Sequence, residues 1–149
     1  MFAETLTSNP RQLAKSWYML FFHLPRLPEW IQQRVDYRQF VESLRDAKPG
    51  TFSETDIERY RAAWARGLTG MINWYRAVFR YREEPPRERV TAPTLVVWGE
   101  RDEYLLAEMA PESVAYCDDG RLERVPEGTH WVHHEYPDDV TDYIIDHLR

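Results

Sequence analysis

Cysteine is nearly absent from this sequence of 149 residues, and so are several patterns that would indicate a particular cellular setting. Because Cys117 is the only cysteine, the chain cannot form an internal disulfide framework. No charged and then apolar leader is visible, and no apolar run approaches the roughly 20 residues that cross a bilayer. The formal net charge of −6 comes without an acidic block, and the arginines are scattered, so neither nucleic acid nor a membrane is expected as a partner. We expect a cytoplasmic protein whose partners are small molecules or another protein.

The length sets a limit of one ordinary domain or two half-domains. The chain changes character near Pro85 and Pro86. Helical periodicity dominates before these prolines, whereas short strand-like runs alternate with helical segments after them. We therefore predict two regions, over residues 1–84 and 85–149.

The first region is predicted to be all-helical because its apolar residues recur at helical spacing. Helices are predicted over residues 9–22, 29–34, 37–44, 53–66 and 71–81. Pro10 is typical of a first helical turn, and apolar residues then recur at helical spacing at Leu13, Trp17, Leu20 and Phe21. The segment Ser53-Glu54-Thr55-Asp56 has the form of a capping box, which indicates a helix start.

The second region alternates strands and helices. Strands are predicted over residues 94–98 and 121–125, and helices over residues 105–116, with a break or kink at Pro111, and from Pro137 onward. Strand, helix, strand, helix is the pattern of a parallel α/β layer. Two strands alone leave unpaired edges, so this sheet needs partners that these residues do not supply.

An acid and an imidazole follow the two predicted strands. Asp102 comes after the apolar run at residues 95–99, and His130 lies in the segment Gly128-Thr129-His130-Trp131. Because parallel strands end at the same edge of a sheet, we expect the carboxylate beside the imidazole, as in two thirds of a catalytic triad. A plainer interpretation is that Asp102 only caps a helix beginning near Leu105.

The order and spacing of these motifs resemble the C-terminal half of an α/β hydrolase with a helical cap, closest to epoxide hydrolases and their haloalkane and haloacetate dehalogenase relatives. Ser16-Trp17-Tyr18 and Asn73-Trp74-Tyr75-Arg76 resemble the segments that carry the two ring-opening tyrosines of epoxide hydrolases. The resemblance covers essentially the whole chain. It implies an α/β class and a partial α/β-hydrolase fold, with residues 1–84 as the helical cap, or lid, and residues 85–149 as the C-terminal strand-helix-strand-helix part of the core.

The resemblance also implies a role for each motif. In this family an aspartate nucleophile opens the epoxide while two cap tyrosines donate hydrogen bonds to its oxygen; a histidine oriented by an acid then activates water to hydrolyse the alkyl-enzyme ester. Tyr18 and Tyr75 match the donors, His130 matches the base and Asp102 matches the acid. Packing within aromatic helices is the alternative for the tyrosines. The substrate-binding residues that the resemblance implies are Trp17, Trp74 and Trp131.

The sequence departs from the family upstream of the cap. It contains no His-Gly oxyanion loop and no Gly-x-Ser-x-Gly or comparable nucleophile elbow, so we expect the isolated chain to be inactive. Three interpretations stay open: half of a split hydrolase completed by a complementary chain or by self-association, a non-catalytic ligand-binding module, and a truncated remnant. The substrate would be a small apolar electrophile, an epoxide, halide or ester, and the indoles of Trp17 and Trp74 keep dehalogenation as an alternative.

No cofactor is implied, and no metal is expected. His130, His133, His134 and Glu135 suggest a metal site, because a histidine pair four positions apart can chelate an ion. No third ligand follows this pair at a known spacing. Cys117 is interpreted as an inert thiol.

Overall fold

The structure is a computed structural model that describes residues 8–80 and 89–149, without the side chain of Phe79. The predicted change of character at Pro85 and Pro86 lies outside the described residues, as does Tyr81 at the predicted end of a helix. The described residues form two compact units, one of residues 8–15 with 89–149 and one of residues 16–80. The first helix therefore packs with the C-terminal part of the chain, while the predicted boundaries of cap and core stay a prediction.

The first unit is a small parallel sheet with helices. Its elements are helix α1 (Pro10–Lys15), strand β1 (Thr94–Gly99), helix α7 (Met109–Ala115), strand β2 (Gly120–Val125), helix α8 (Val132–Glu135) and helix α9 (Pro137–His147). Strands β1 and β2 pair in parallel, from Thr94 opposite Gly120 to Gly99 opposite Val125. Because the two strands end level with each other, the loops that follow them begin at the same edge of the sheet.

The second unit is all-helical. Its elements are helices α2 (Trp17–Phe22), α3 (Leu27–Arg34), α4 (Arg38–Arg45), α5 (Glu54–Ala65) and α6 (Thr69–Arg80). Phe22, Tyr37, Leu68 and Ile72 form a buried cluster within it, and half-buried aromatic side chains pack against them. The predicted capping box is confirmed, because the backbone N–H of Asp56 donates to Ser53 Oγ and the N–H of Ser53 donates to the Asp56 carboxylate.

The predicted helix over residues 9–22 is wrong in its continuity and in its buried face. The backbone of Ser16 leaves the helical region, at φ −96° and ψ 14°, and separates α1 from α2. Serine bonds readily with nearby backbone and so tolerates such a break. Of the predicted apolar residues, Leu13, Trp17 and Leu20 are exposed and Phe21 is half-buried, and the fully buried positions lie one residue away. Those buried residues are Gln12, Ser16, Met19 and Phe22.

The predicted helix over residues 105–116 is wrong at its start, which lies at Met109. The cause is Asp102, whose Oδ1 accepts the backbone N–H groups of Tyr104 and Leu105 and holds that segment in a turn. Pro111 then falls in the first helical turn, where its missing N–H removes no helical hydrogen bond. Pro111 therefore gives no reason for a kink in helix α7.

Apolar surface remains open in the first unit. The residues of β1 before Gly99 are only half-buried, and Ile144, Ile145 and Leu148 on and just after α9 are exposed. The described residues thus do not cover this sheet and helix completely, as expected of a sheet with two strands. Among these residues, no helix has both the length and the apolar character that a bilayer span requires.

Candidate active site

The structure brings Asp102 and His130 together, as the sequence predicts. Nδ1 of His130 lies 2.9 Å from Oδ2 of Asp102. A carboxylate only accepts hydrogen bonds, so Nδ1–H donates and Nε2 is left as the nitrogen that can take a proton. The Asp102 side chain is 8% exposed and that of His130 is 40% exposed, so the acid is shielded while the imidazole reaches solvent.

The close approach of the two loops at the sheet edge explains how the pair forms. The N–H of Glu100 donates to the carbonyl of Val125 at 3.0 Å, and the N–H of Arg101 donates to the carbonyl of Gly128 at 2.9 Å. A Cβ at Gly99 would lie 2.2 Å from the backbone oxygen of Thr129. Only glycine therefore allows the loops to run this close, with Asp102 on one and His130 on the other.

Asp102 both turns the chain and faces the imidazole. Its Oδ1 accepts the N–H of Tyr104 at 2.7 Å and that of Leu105 at 2.9 Å, while Oδ2 faces His130. The plainer interpretation, that Asp102 caps a helix beginning near Leu105, is wrong, because the helix begins at Met109. The carboxylate closes a local turn, and the same turn aims its second oxygen at the imidazole.

Glu135 fixes the loop of His130 from the other side. Its carboxylate accepts the N–H of Thr129 and the Thr129 hydroxyl, each at 2.7 Å. The ring of His130 meets those of Tyr104 and Trp131 edge-on, with centroids 5.0 and 5.6 Å apart. Sequence reasoning assigned no positioning role to Glu135 or Tyr104, since neither belongs to a motif.

The neighbouring histidines do not assemble a metal site in the described residues, where no group of three or more suitable side chains could hold an ion. His133 and His134 lie with ring centroids 4.3 Å apart. Burial lowers the pKa of His133 below its ordinary value, and the nearby His134 and His130 lower it further.

Helix α1 contacts the Asp102 loop through two polar side chains that sequence reasoning missed. Gln12 is fully buried; its Nε2 donates to the carbonyl of Tyr104 at 2.9 Å and its Oε1 accepts the N–H of Leu106 at 3.1 Å. Nζ of Lys15 donates to the carbonyl of Asp102 at 3.1 Å. The only sign of these contacts in the sequence is a glutamine beside apolar residues on a predicted helix, and that pattern does not predict which backbone groups the glutamine bonds.

The second unit brings Tyr18 and Tyr75 together. Their rings meet edge-on with centroids 5.7 Å apart, and both pack on Phe22. Burial raises the pKa of Tyr75, which keeps that phenol a neutral donor. Trp17 and Trp74, beside them in the sequence, are exposed. The tyrosine pair and the acid–imidazole pair thus lie in different units, and Trp131 lies with the latter.

Arg76, next to Tyr75, joins three helices of the second unit. Its guanidinium donates to both carboxylate oxygens of Glu29, at 2.8 and 3.1 Å, and to the carbonyls of Phe22 and Leu24 at 2.8 and 3.0 Å. The hydrogen bonds from Arg76 lower the pKa of Glu29. The arginine therefore ties the C-terminal end of α2 and the start of α3 to the helix that carries Tyr75.

Comparisons with known proteins identify a family model and relatives that match this chain. Residues 4–143 match the model of a family described as the alpha/beta hydrolase family. The AB hydrolase superfamily protein YfhM of Bacillus subtilis is 35% identical over 145 residues, which cover 94% of this chain and 50% of that protein. Epoxide hydrolase 3 of Xenopus tropicalis is 32% identical over 157 residues, which cover 99% of this chain and 42% of that protein.

A solved structure supports the fold directly. The Bacillus megaterium epoxide hydrolase in complex with an inhibitor aligns with a TM-score of 0.84 at 22% identity, over 99% of this chain and 56% of that one. The predicted partial α/β-hydrolase fold is thereby confirmed. The chain spans about half the length of the curated relatives that it matches.

Proposed function

Because this chain belongs to the α/β hydrolase family, we propose that it carries the water-activating part of an epoxide hydrolase-like active site. The observation that carries the proposal is the hydrogen bond between His130 and Asp102 at the ends of two parallel strands. A shielded carboxylate on Nδ1 orients the imidazole and stabilises its cation, which leaves Nε2 to accept a proton from water. That water hydrolyses the alkyl-enzyme ester.

The tyrosine pair supplies the ring-opening donors in this proposal. Tyr18 and Tyr75 donate their phenol hydrogens to the epoxide oxygen, where negative charge develops as the ring opens. The raised pKa of Tyr75 supports this role, because a neutral phenol keeps the proton that it donates. Two phenols side by side favour epoxide opening over halide release. The apolar contacts to the substrate come from Trp17, Trp74 and Trp131.

The nucleophile and the oxyanion loop come, in this proposal, from polypeptide outside these residues. The sequence has no His-Gly pair and no Gly-x-Ser-x-Gly elbow, and the matched relatives are about twice as long. Residues 1–84 act as the cap and residues 85–149 complete the core, in the cytoplasm and without a cofactor. The substrate is a small apolar epoxide.

The proposal is tested by complementation. This chain is purified alone and together with the part of the Bacillus subtilis relative that it does not match, and hydrolysis of an aromatic epoxide to its diol is measured. We expect diol only from the combination. In the combination, His130→Gln should reduce diol release by about 10²-fold or more and accumulate the ester, seen by mass spectrometry as protein plus substrate.

The matched control is His147→Gln on helix α9, which should leave turnover unchanged. An undiminished rate of diol formation in the combination that carries His130→Gln would refute the assignment of His130 as the base. Equal turnover by the chain alone and by the combination would refute the external nucleophile.

A further inference from the structure

We propose that Gln12 and Lys15 of helix α1 are positioning residues that hold the segment Asp102–Leu106, here called the acid loop, in the shape that aims Asp102 at His130. This inference rests on the proposed function, because it gives the loop a purpose. Its physical basis is independent of any reaction: two polar side chains from a distant part of the sequence bond the backbone of a short irregular segment.

Gln12 bridges two backbone groups of the acid loop. Its amide is completely buried, with Nε2 donating to the carbonyl of Tyr104 and Oε1 accepting the N–H of Leu106. The N–H between them, that of Leu105, donates to Asp102 Oδ1. The backbone of the acid loop is thus held by Asp102 on one side and by Gln12 on the other, and a buried amide of this kind holds its partners in a fixed geometry.

Lys15 holds the beginning of the acid loop. Its ammonium donates to the carbonyl of Asp102 at 3.1 Å and to that of Glu103 at 2.9 Å. A cation between two carbonyl oxygens makes stronger hydrogen bonds than a neutral donor would. These bonds orient the two peptide groups that follow the Asp102 side chain.

The acid loop makes two contacts with the imidazole of His130, and the hydrogen bonds from Gln12 and Lys15 to the loop backbone stabilise both. The Asp102 carboxylate bonds Nδ1 of His130, and the Tyr104 ring meets the His130 ring edge-on. If Gln12 lost its amide, the carbonyl of Tyr104 and the N–H of Leu106 would lose their buried partner, and the loop would move to regain one. The Nδ1–H bond would then open more often.

The test follows the Nδ1–H proton of His130 by NMR in the full chain, without any substrate. In the unmodified protein we expect a resolved downfield signal, identified by its loss in His130→Gln. Gln12→Met, which keeps the length of the side chain, should speed exchange of this proton with water by about tenfold or abolish the signal. Lys15→Met should speed exchange by about threefold, and Lys15→Arg should restore slow exchange.

Arg11→Met is the matched control, because Arg11 lies on the same helix but pairs with exposed Glu108 outside the acid loop. It should leave the signal unchanged. A folded Gln12→Met protein with an unchanged signal would overturn the inference, and so would an unmodified protein that lacks the signal. If Gln12→Met does not fold, an unchanged signal in Lys15→Met overturns it. Failure of the proposed function looks different: the signal responds as expected, yet the complemented protein forms no diol.

Discussion

Arg76 is the residue at which we expect one substitution to weaken the helical unit most clearly. Its side chain is 10% exposed and that of its partner Glu29 is 13% exposed, so the ion pair is largely out of water. Arg76→Met keeps an apolar stem of similar length but removes every donor. The carboxylate of Glu29 and the carbonyls of Phe22 and Leu24 then lose the guanidinium that they share.

The expected magnitude follows from that loss. Removing one partner of a buried pair leaves an uncompensated charge and costs about 3–5 kcal/mol of unfolding free energy. Because Glu29 keeps some access to water, we take the lower end, about 3 kcal/mol. For a chain of this length the same loss lowers Tm by about 10 °C.

The pH dependence gives the same prediction a second test. Hydrogen bonds from Arg76 lower the pKa of Glu29 below its ordinary 4.5 in the folded protein. The folded state therefore favours the charged carboxylate more than the unfolded chain does. This contribution to stability is complete above the unfolded pKa and is lost as the pH falls through the folded pKa. Arg76→Met should lose less stability than the unmodified protein on acidification through that range.

Urea unfolding at neutral and acidic pH, followed by tryptophan fluorescence, measures both effects. The matched control is Arg45→Met, which breaks an exposed pair with Glu54 and should change stability by less than about 0.5 kcal/mol. A loss below about 1 kcal/mol for Arg76→Met, with a normal control, would refute the reasoning. An unchanged response to acid would refute the assignment of the pH dependence to Glu29.

Three further predictions concern backbone space, capping and ionisation. Gly99→Ala should cost about 3 kcal/mol in urea unfolding because of the contact with Thr129, whereas Gly70→Ala, with open space around it on helix α6, should be neutral or stabilise by up to about 1 kcal/mol. Ser53→Ala should cost about 1 kcal/mol by loss of its cap, whereas Ser53→Thr, which keeps the hydroxyl, should retain most of the stability; equal stability of all three forms would contradict the cap. The absorbance difference between the unmodified protein and Tyr75→Phe during alkaline titration should show this phenol ionising above its ordinary pKa of 10.0, and ionisation at or below that value would contradict its burial.

Local signals carried the parts of the fold that were predicted correctly. The β-branched run at residues 94–98 and the alternating run at residues 121–125 give the two strands, and the capping box at Ser53 gives a helix start. The positions of Asp102 and His130 after those strands predict their meeting, because parallel strands end at a shared edge. Each of these signals lies within a short stretch of chain.

Long-range polar contacts explain what was not predicted. Gln12 bonds the N–H of Leu106 across 94 positions, and Arg76 bonds the carbonyl of Phe22 across 54. Neither contact produces a periodic pattern in the sequence, because each joins a single side chain to a single backbone group. The buried face of α1 and α2 was predicted wrongly for a related reason. The helical spacing of Leu13 and Trp17 predicts an apolar face, but it does not show that other residues of this chain pack on that face.

The double use of Asp102 changes how related sequences should be interpreted. A related chain without the proposed activity would still need an oxygen at this position to accept the N–H groups of Tyr104 and Leu105, and asparagine or aspartate supplies one. Retention of the acid therefore reports partly on chain geometry. His130 makes its side-chain hydrogen bond in the described residues to Asp102, and it holds no turn together. Its persistence or loss across sequences is the better record of selection for chemistry.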